Sequence, residues 1–230
     1  MNPVVSLALA TAAFVGGHLI MSHPLRPGLV GRLGERVFLG LYSLVSLATF
    51  AWMVIAWRAS PDSTPHWTAP LWWWPIASLI MLAASILLVG SLIGNPALPH
   101  PGAPPRAIPP PRRVFAITRH PMNWSFMLWA LVHLSISWSA RNLIVAIGIL
   151  ILAFAGSIGQ DRKKARLIGE PWREWQARTS FVPFAALLQG RASWRASFPG
   201  WGALFGGLLL WAVATELHVP LVSPLALLLD

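Results

Sequence analysis

The chain contains no cysteine. That absence removes disulfides, thiolate metal ligands, covalent haem attachment through Cys-x-x-Cys-His and iron–sulfur clusters held by cysteine. Charge is scarce as well, at 10% of 230 residues. Soluble domains carry about 25%. No Lys or Arg precedes the first apolar run, so that run lacks the basic start of a signal peptide. The net charge is +10, yet there is no base-reading motif and no basic stripe on a soluble domain. Nucleic acid is therefore not an expected partner.

What is present is apolar. Hydrophobic residues make up 56% of the chain. They form runs of about 18 to 23 residues, the length that crosses a hydrocarbon core of about 30 Å. The expected fold class is an all-α integral membrane protein with six transmembrane helices and the lipid bilayer as its solvent. The spans are expected at about 3–21, 37–57, 71–93, 121–138, 142–159 and 201–217. The fourteen tryptophans gather near run ends, as an aromatic belt would. Residues 1–195 are expected to form one membrane domain. Residues 196–230 hold the sixth span and an apolar tail.

The seventeen Lys and Arg fall in the five successive loops as three, one, four, one and eight. The positive-inside bias puts the loops with three, four and eight in the cytoplasm. Both termini are then expected on the outer side of the membrane. The loop from Asn95 to Arg113 carries eight prolines and reads as a stiff, partly extended connector. In the last basic loop, Ile168, Trp172 and Trp175 follow helical spacing. Gly169 reads as a helix end and Pro171 as a first-turn residue. This segment is expected to be a cytoplasmic interfacial amphipathic helix.

Topology sorts the seven histidines. His66 and His218 fall outside, and His23 and His100 in cytoplasmic loops. His18 is expected near the cytoplasmic end of the first span. His120, in Thr118-Arg119-His120-Pro121, is expected at the cytoplasmic start of the fourth. His133 lies thirteen residues later, roughly 20 Å along a helix, and cannot share a metal with His120. An ionisable group at a membrane helix end reads as functional. Two imidazoles without cysteine or a nearby carboxylate suit a closed zinc site poorly. They suit the two axial positions of a haem, with arginines such as Arg26 and Arg119 for its propionates. The alternative is that both histidines only hydrogen-bond backbone or lipid phosphate. No span is expected to hold a buried acidic or basic group for an ion path, which argues against a transporter.

Gly17-His18-Leu-Ile-Met-Ser22, Leu33-Gly34-Glu35 and Leu41-Tyr42-Ser43-Leu44-Val45-Ser46-Leu47 resemble the NnrU family of bacterial membrane proteins. Ile117-Thr118-Arg119-His120-Pro121 and Arg178-Thr179-Ser180-Phe181-Val182-Pro183-Phe184 extend the likeness, which covers about residues 14–188. The same landmarks resemble the plant 15-cis-zeta-carotene isomerases. The resemblance implies a haem b-binding membrane protein with His18 and His120 as metal ligands and catalytic residues. His120 would be the retained ligand and His18 the exchangeable one. It implies cis–trans isomerisation of an apolar polyene such as zeta-carotene. Alternatively, it implies a non-catalytic haem or nitric oxide handling role linked to denitrification. Arg-His-Pro also resembles membrane methyltransferases of the isoprenylcysteine type, which use S-adenosylmethionine. Asn123 and Ser125 stand where those proteins have an aromatic residue and a glycine. Their later acidic pair is missing here, since Arg162, Lys163 and Lys164 follow Asp161.

Overall fold

The computed structural model describes residues 2–61, 64–98 and 108–218. Their order is α1 (Pro3–Ser22), α2 (Arg26–Leu33), α3 (Glu35–Ala59), α4 (Trp73–Ser91), α5 (Val114–Ile117), α6 (Pro121–Ile136), α7 (Ala140–Ile168), α8 (Glu170–Arg178), α9 (Ala185–Leu188), a 3-10 turn at Trp194–Ser197, and α10 (Trp201–His218). The described residues form no strand, only an isolated antiparallel bridge between Thr68 and Ser137. His100 and the tail from Val219 to Asp230 lie outside the described residues, as does the middle of the proline-rich loop.

The fold is all-helical, as its composition implies. Four helices, α1, α3, α4 and α7, are long and apolar enough to cross a membrane. Of the six expected spans, these four reach that length among the described residues. Helix α6 has 16 residues, about 24 Å of rise and short of a full hydrocarbon core. Helix α10 likewise falls in the shorter class of apolar helices. The fifth expected span is only the first part of α7. That helix runs for 29 residues and carries Asp161, Arg162, Lys163, Lys164 and Arg166 on its continuation. Gly169, at φ +76°, ends it. Glycine takes that left-handed conformation without the Cβ clash. Pro171 then sits in the first turn of α8.

The described residues fall into two compact units. The first comprises residues 2–61, 64–69 and 133–163. Its core is Leu7 and Ala10 of α1 against Met53 and Ala56 of α3, with Phe14, Ile144 and Val145 packed around them. Leu44, Leu47 and Ile55 of α3 remain exposed, as expected of side chains that meet lipid tails rather than water. Residues 66–69 pair with the end of α6: Ala69 N–H donates to Ile136 O, and Trp138 N–H to Trp67 O. Arg141 lies over the Trp57 ring, 4.5 Å from its centroid.

The second unit comprises residues 70–98, 108–132 and 164–218. Helices α4 and α10 pack closely here. A Cβ on Gly207 would lie 2.7 Å from the Ile86 Cα, so only glycine lets the two backbones approach this far. The Trp211 indole N–H donates to Ser78 Oγ at 3.1 Å. The core joins Leu87, Ala97, Val114, Phe115, Trp172 and Trp175, with Trp124, Leu128, Ala165 and Ile168 against it. Trp172 is completely buried. The tryptophan face of α8, expected to belong to an interfacial helix, is thus covered by protein. A correction concerns α10, where the Glu216 Oε2 is enclosed near the helix end. The last span does hold a buried acidic atom.

Candidate functional site

His120 directly precedes α6. Its carbonyl accepts the Trp124 N–H at 2.9 Å, and Pro121 follows where a missing N–H leaves nothing unsatisfied. Two residues earlier, Thr118 is fully buried. Its Oγ1 accepts the His120 backbone N–H at 3.3 Å and donates to Phe181 O at 2.7 Å. Trp124, one turn beyond His120, donates its indole N–H to the same carbonyl at 2.7 Å. A carbonyl has two lone pairs, and the two donors to this one flank His120 in sequence.

The Phe181 ring completes the arrangement. Its centroid is 5.9 Å from that of His120 and 5.7 Å from that of Trp124. Main-chain bonds tie the two segments together: Arg119 N–H donates to Ser180 O, and Phe184 N–H to Ile117 O. Phe184 has φ +65°, a conformation uncommon outside glycine. Further back, Arg191 donates to Ala177 O at 2.7 Å and Thr179 O at 2.6 Å. A cation there meets the negative, carbonyl-bearing end of α8. His120 itself is 3% exposed. Its Nε2 is enclosed and makes no hydrogen bond, while other interactions engage the residue.

His18 belongs to the first unit and sits near the end of α1. Its Nδ1 lies 2.8 Å from Phe14 O. A carbonyl only accepts, so Nδ1 carries the proton and the neutral ring keeps its lone pair on Nε2. The ring centroid is 4.4 Å from Phe14 and 5.4 Å from Tyr42, which stands edge-on to it. A Cβ on Gly17 would meet Val45 at 3.7 Å, so that position already faces α3. His23 is not simply a loop residue. Its ring lies against Gly159 of α7, where a side chain would collide with it. Arg26 donates to Glu35 at 2.9 Å and lies over the Phe38 ring. The His133 carbonyl accepts from Asn142 at 2.8 Å.

Among the described residues, no three His, Cys, Asp or Glu side chains converge to hold a metal ion. Sequence reasoning quoted Thr118 and Phe181 only within family landmarks, and gave neither them nor Trp124 a role at the site. A threonine two residues before His-Pro is a signal for a hydroxyl-bonded turn. Nothing local to residue 181 points to His120.

Comparison with known proteins identifies the family. The family model described as NnrU protein matches residues 6–224, a stretch that includes α10. The chain is 31% identical over 78 residues to the chloroplastic 15-cis-zeta-carotene isomerase of Arabidopsis thaliana. It is 32% identical over 80 residues to the Zea mays protein of the same name. Each match takes in 34% of this chain and 21% of the plant protein, so the chain spans about a fifth of the length of these relatives. No solved structure matches. With the family model covering nearly all of its length, the chain belongs to the NnrU family of proteins.

Proposed function

We propose that this protein is a haem b-binding membrane isomerase that converts a cis double bond of an apolar polyene, of the zeta-carotene type, to trans. The observation that carries the reaction class is the similarity to proteins named 15-cis-zeta-carotene isomerase. The donor set is compatible with haem. His18 keeps its lone pair on Nε2 because Nδ1 is committed to Phe14, and His120 presents an enclosed ring nitrogen. Hydrogen-bonding of the distal ring nitrogen is the usual way a protein orients a histidine ligand.

In this reading His18 and His120 would hold the cofactor. Arg119 and Arg26 would be the cationic partners of its carboxylates, Arg26 in place of its present pairing with Glu35. Haem, when bound, supplies an iron centre able to accept electron density from a double bond, which lowers the barrier to rotation about it. The chain's own work is to fix the imidazoles, exclude water and offer an apolar path from the bilayer. The loop charges orient the chain with its three most basic loops at the cytoplasmic face of a bacterial inner membrane. On this reading α6 and α10 complete six membrane passes.

Detergent-purified protein supplied with haem b should show a Soret band, and His120→Ala should lose it. Chromatography of a cis-polyene incubated with the loaded protein should show the trans isomer. No Soret band in the parent would sink the haem reading. Haem uptake without any isomer conversion would leave a carrier of haem or nitric oxide in its place.

A further inference from the structure

We infer that Thr118 and Phe181 are positioning residues for the His120 imidazole. The segment around Phe181 is then part of the site, although Phe181 lies 63 positions from Thr118. The inference rests on reading His120 as a cofactor ligand, but its geometry is independent of that reading.

Four contacts converge on Phe181. Its carbonyl accepts the Thr118 hydroxyl and the Trp124 indole, both at 2.7 Å. Its ring leans on the rings of His120 and Trp124. The two hydrogen bonds fix the main chain on either side of His120, and so fix the direction of its Cα–Cβ bond. The ring contact limits rotation about that bond. Thr118 adds a third restraint by accepting the His120 N–H. The device is nearly closed to water: Thr118, Pro121 and Thr179 are almost fully buried. In such surroundings water cannot replace a lost hydrogen bond, so each one holds more firmly. Arg191 and the Thr179 hydroxyl, which donates to Trp175 O at 2.8 Å, anchor the far side of the segment.

The chemistry separates hydroxyl from volume. Thr118→Val keeps the branched shape but removes the donor to Phe181 and the acceptor for His120. Thr118→Ser keeps the hydroxyl. Trp124→Phe removes the other donor while leaving a ring in place.

The test uses the full chain in lipid nanodiscs, loaded with haem b. Haem release is timed, and low-spin g values, which report the orientation of axial imidazole planes, are read by electron paramagnetic resonance. Thr118→Val should release haem roughly tenfold faster, in line with other residues that orient a ligand, and should shift the g values. Thr118→Ser should match the parent, and Trp124→Phe should shift in the same direction as Thr118→Val by less. Parent-like g values and release in both Thr118→Val and Trp124→Phe would overturn the inference. If Thr118→Val does not fold, Trp124→Phe decides alone. If the parent takes up no haem, the ligand reading fails. Positioning is then judged from 15N-histidine spectra of the haem-free protein. Altered His120 ring signals in Thr118→Val, with parent-like signals in Thr118→Ser, support the inference. Identical signals in Thr118→Val sink it.

Discussion

The settings of His18 and His120 differ in where their restraints come from. His18 is held by its own helix: one bond to Phe14, four residues back, and rings from α1 and α3. It is half-buried. His120 is almost completely buried and meets the Phe181 ring, about sixty positions away, and Thr118, which binds its N–H, is itself bonded to that distant segment. A locally held imidazole can change its surroundings by moving one side chain. An imidazole held by a distant segment moves only if that segment does. On the proposed reading, position 18 would carry the exchangeable group and position 120 the fixed one.

The largest expected contrast is between the two histidine deletions. His120→Ala should abolish the Soret band. His18→Ala should leave a weaker, altered band, about 10- to 100-fold lower in haem affinity, titrated by absorbance. Equal loss in both would remove the distinction.

Next come two glycines, one from each unit. Gly207→Ala would place a methyl against the Ile86 backbone. It should cost about 1–3 kcal/mol by overpacking, read as a lower midpoint in a thermal melt in detergent. Gly159→Ala would meet the His23 ring instead. A side chain can swing away where a backbone cannot, so its cost should be the smaller of the two.

Thr118→Val should destabilise the protein by about 1–2 kcal/mol, the cost of losing buried hydrogen bonds. Thr118→Ser should recover most of that in the same melt. The smallest effect is expected at Arg26–Glu35. Glu35 is 41% exposed, and pairs of this kind contribute about 0–1 kcal/mol. Glu35→Gln should barely move the melt. If Arg26 does face a propionate, the same variant should leave haem affinity unchanged or raise it.

Parts of the site were legible because their signals are local. Pro121 at a helix start, Gly169 at a helix end and Pro171 in the next first turn each act within a few residues. Helix lengths were less legible. Hydropathy does not show where charged residues ride on a continuing helix, as they do after Gly159 in α7, or that α6 stops at Ile136. The faces of helices were least legible. Spacing put Trp172 and Trp175 on one face, but an apolar face looks the same in sequence whether lipid or protein covers it.

Sequence alone determined the membrane class, the family and the two histidines worth testing. These follow from composition, run length and short motifs, which need no knowledge of packing. Only the tertiary structure decided that Phe181 closes over His120, that Thr118 bridges them, and that α8 turns its tryptophans inward. Those facts depend on hydrogen bonds and ring contacts between segments far apart in the chain. Helical periodicity repeats within a few residues and carries no trace of them.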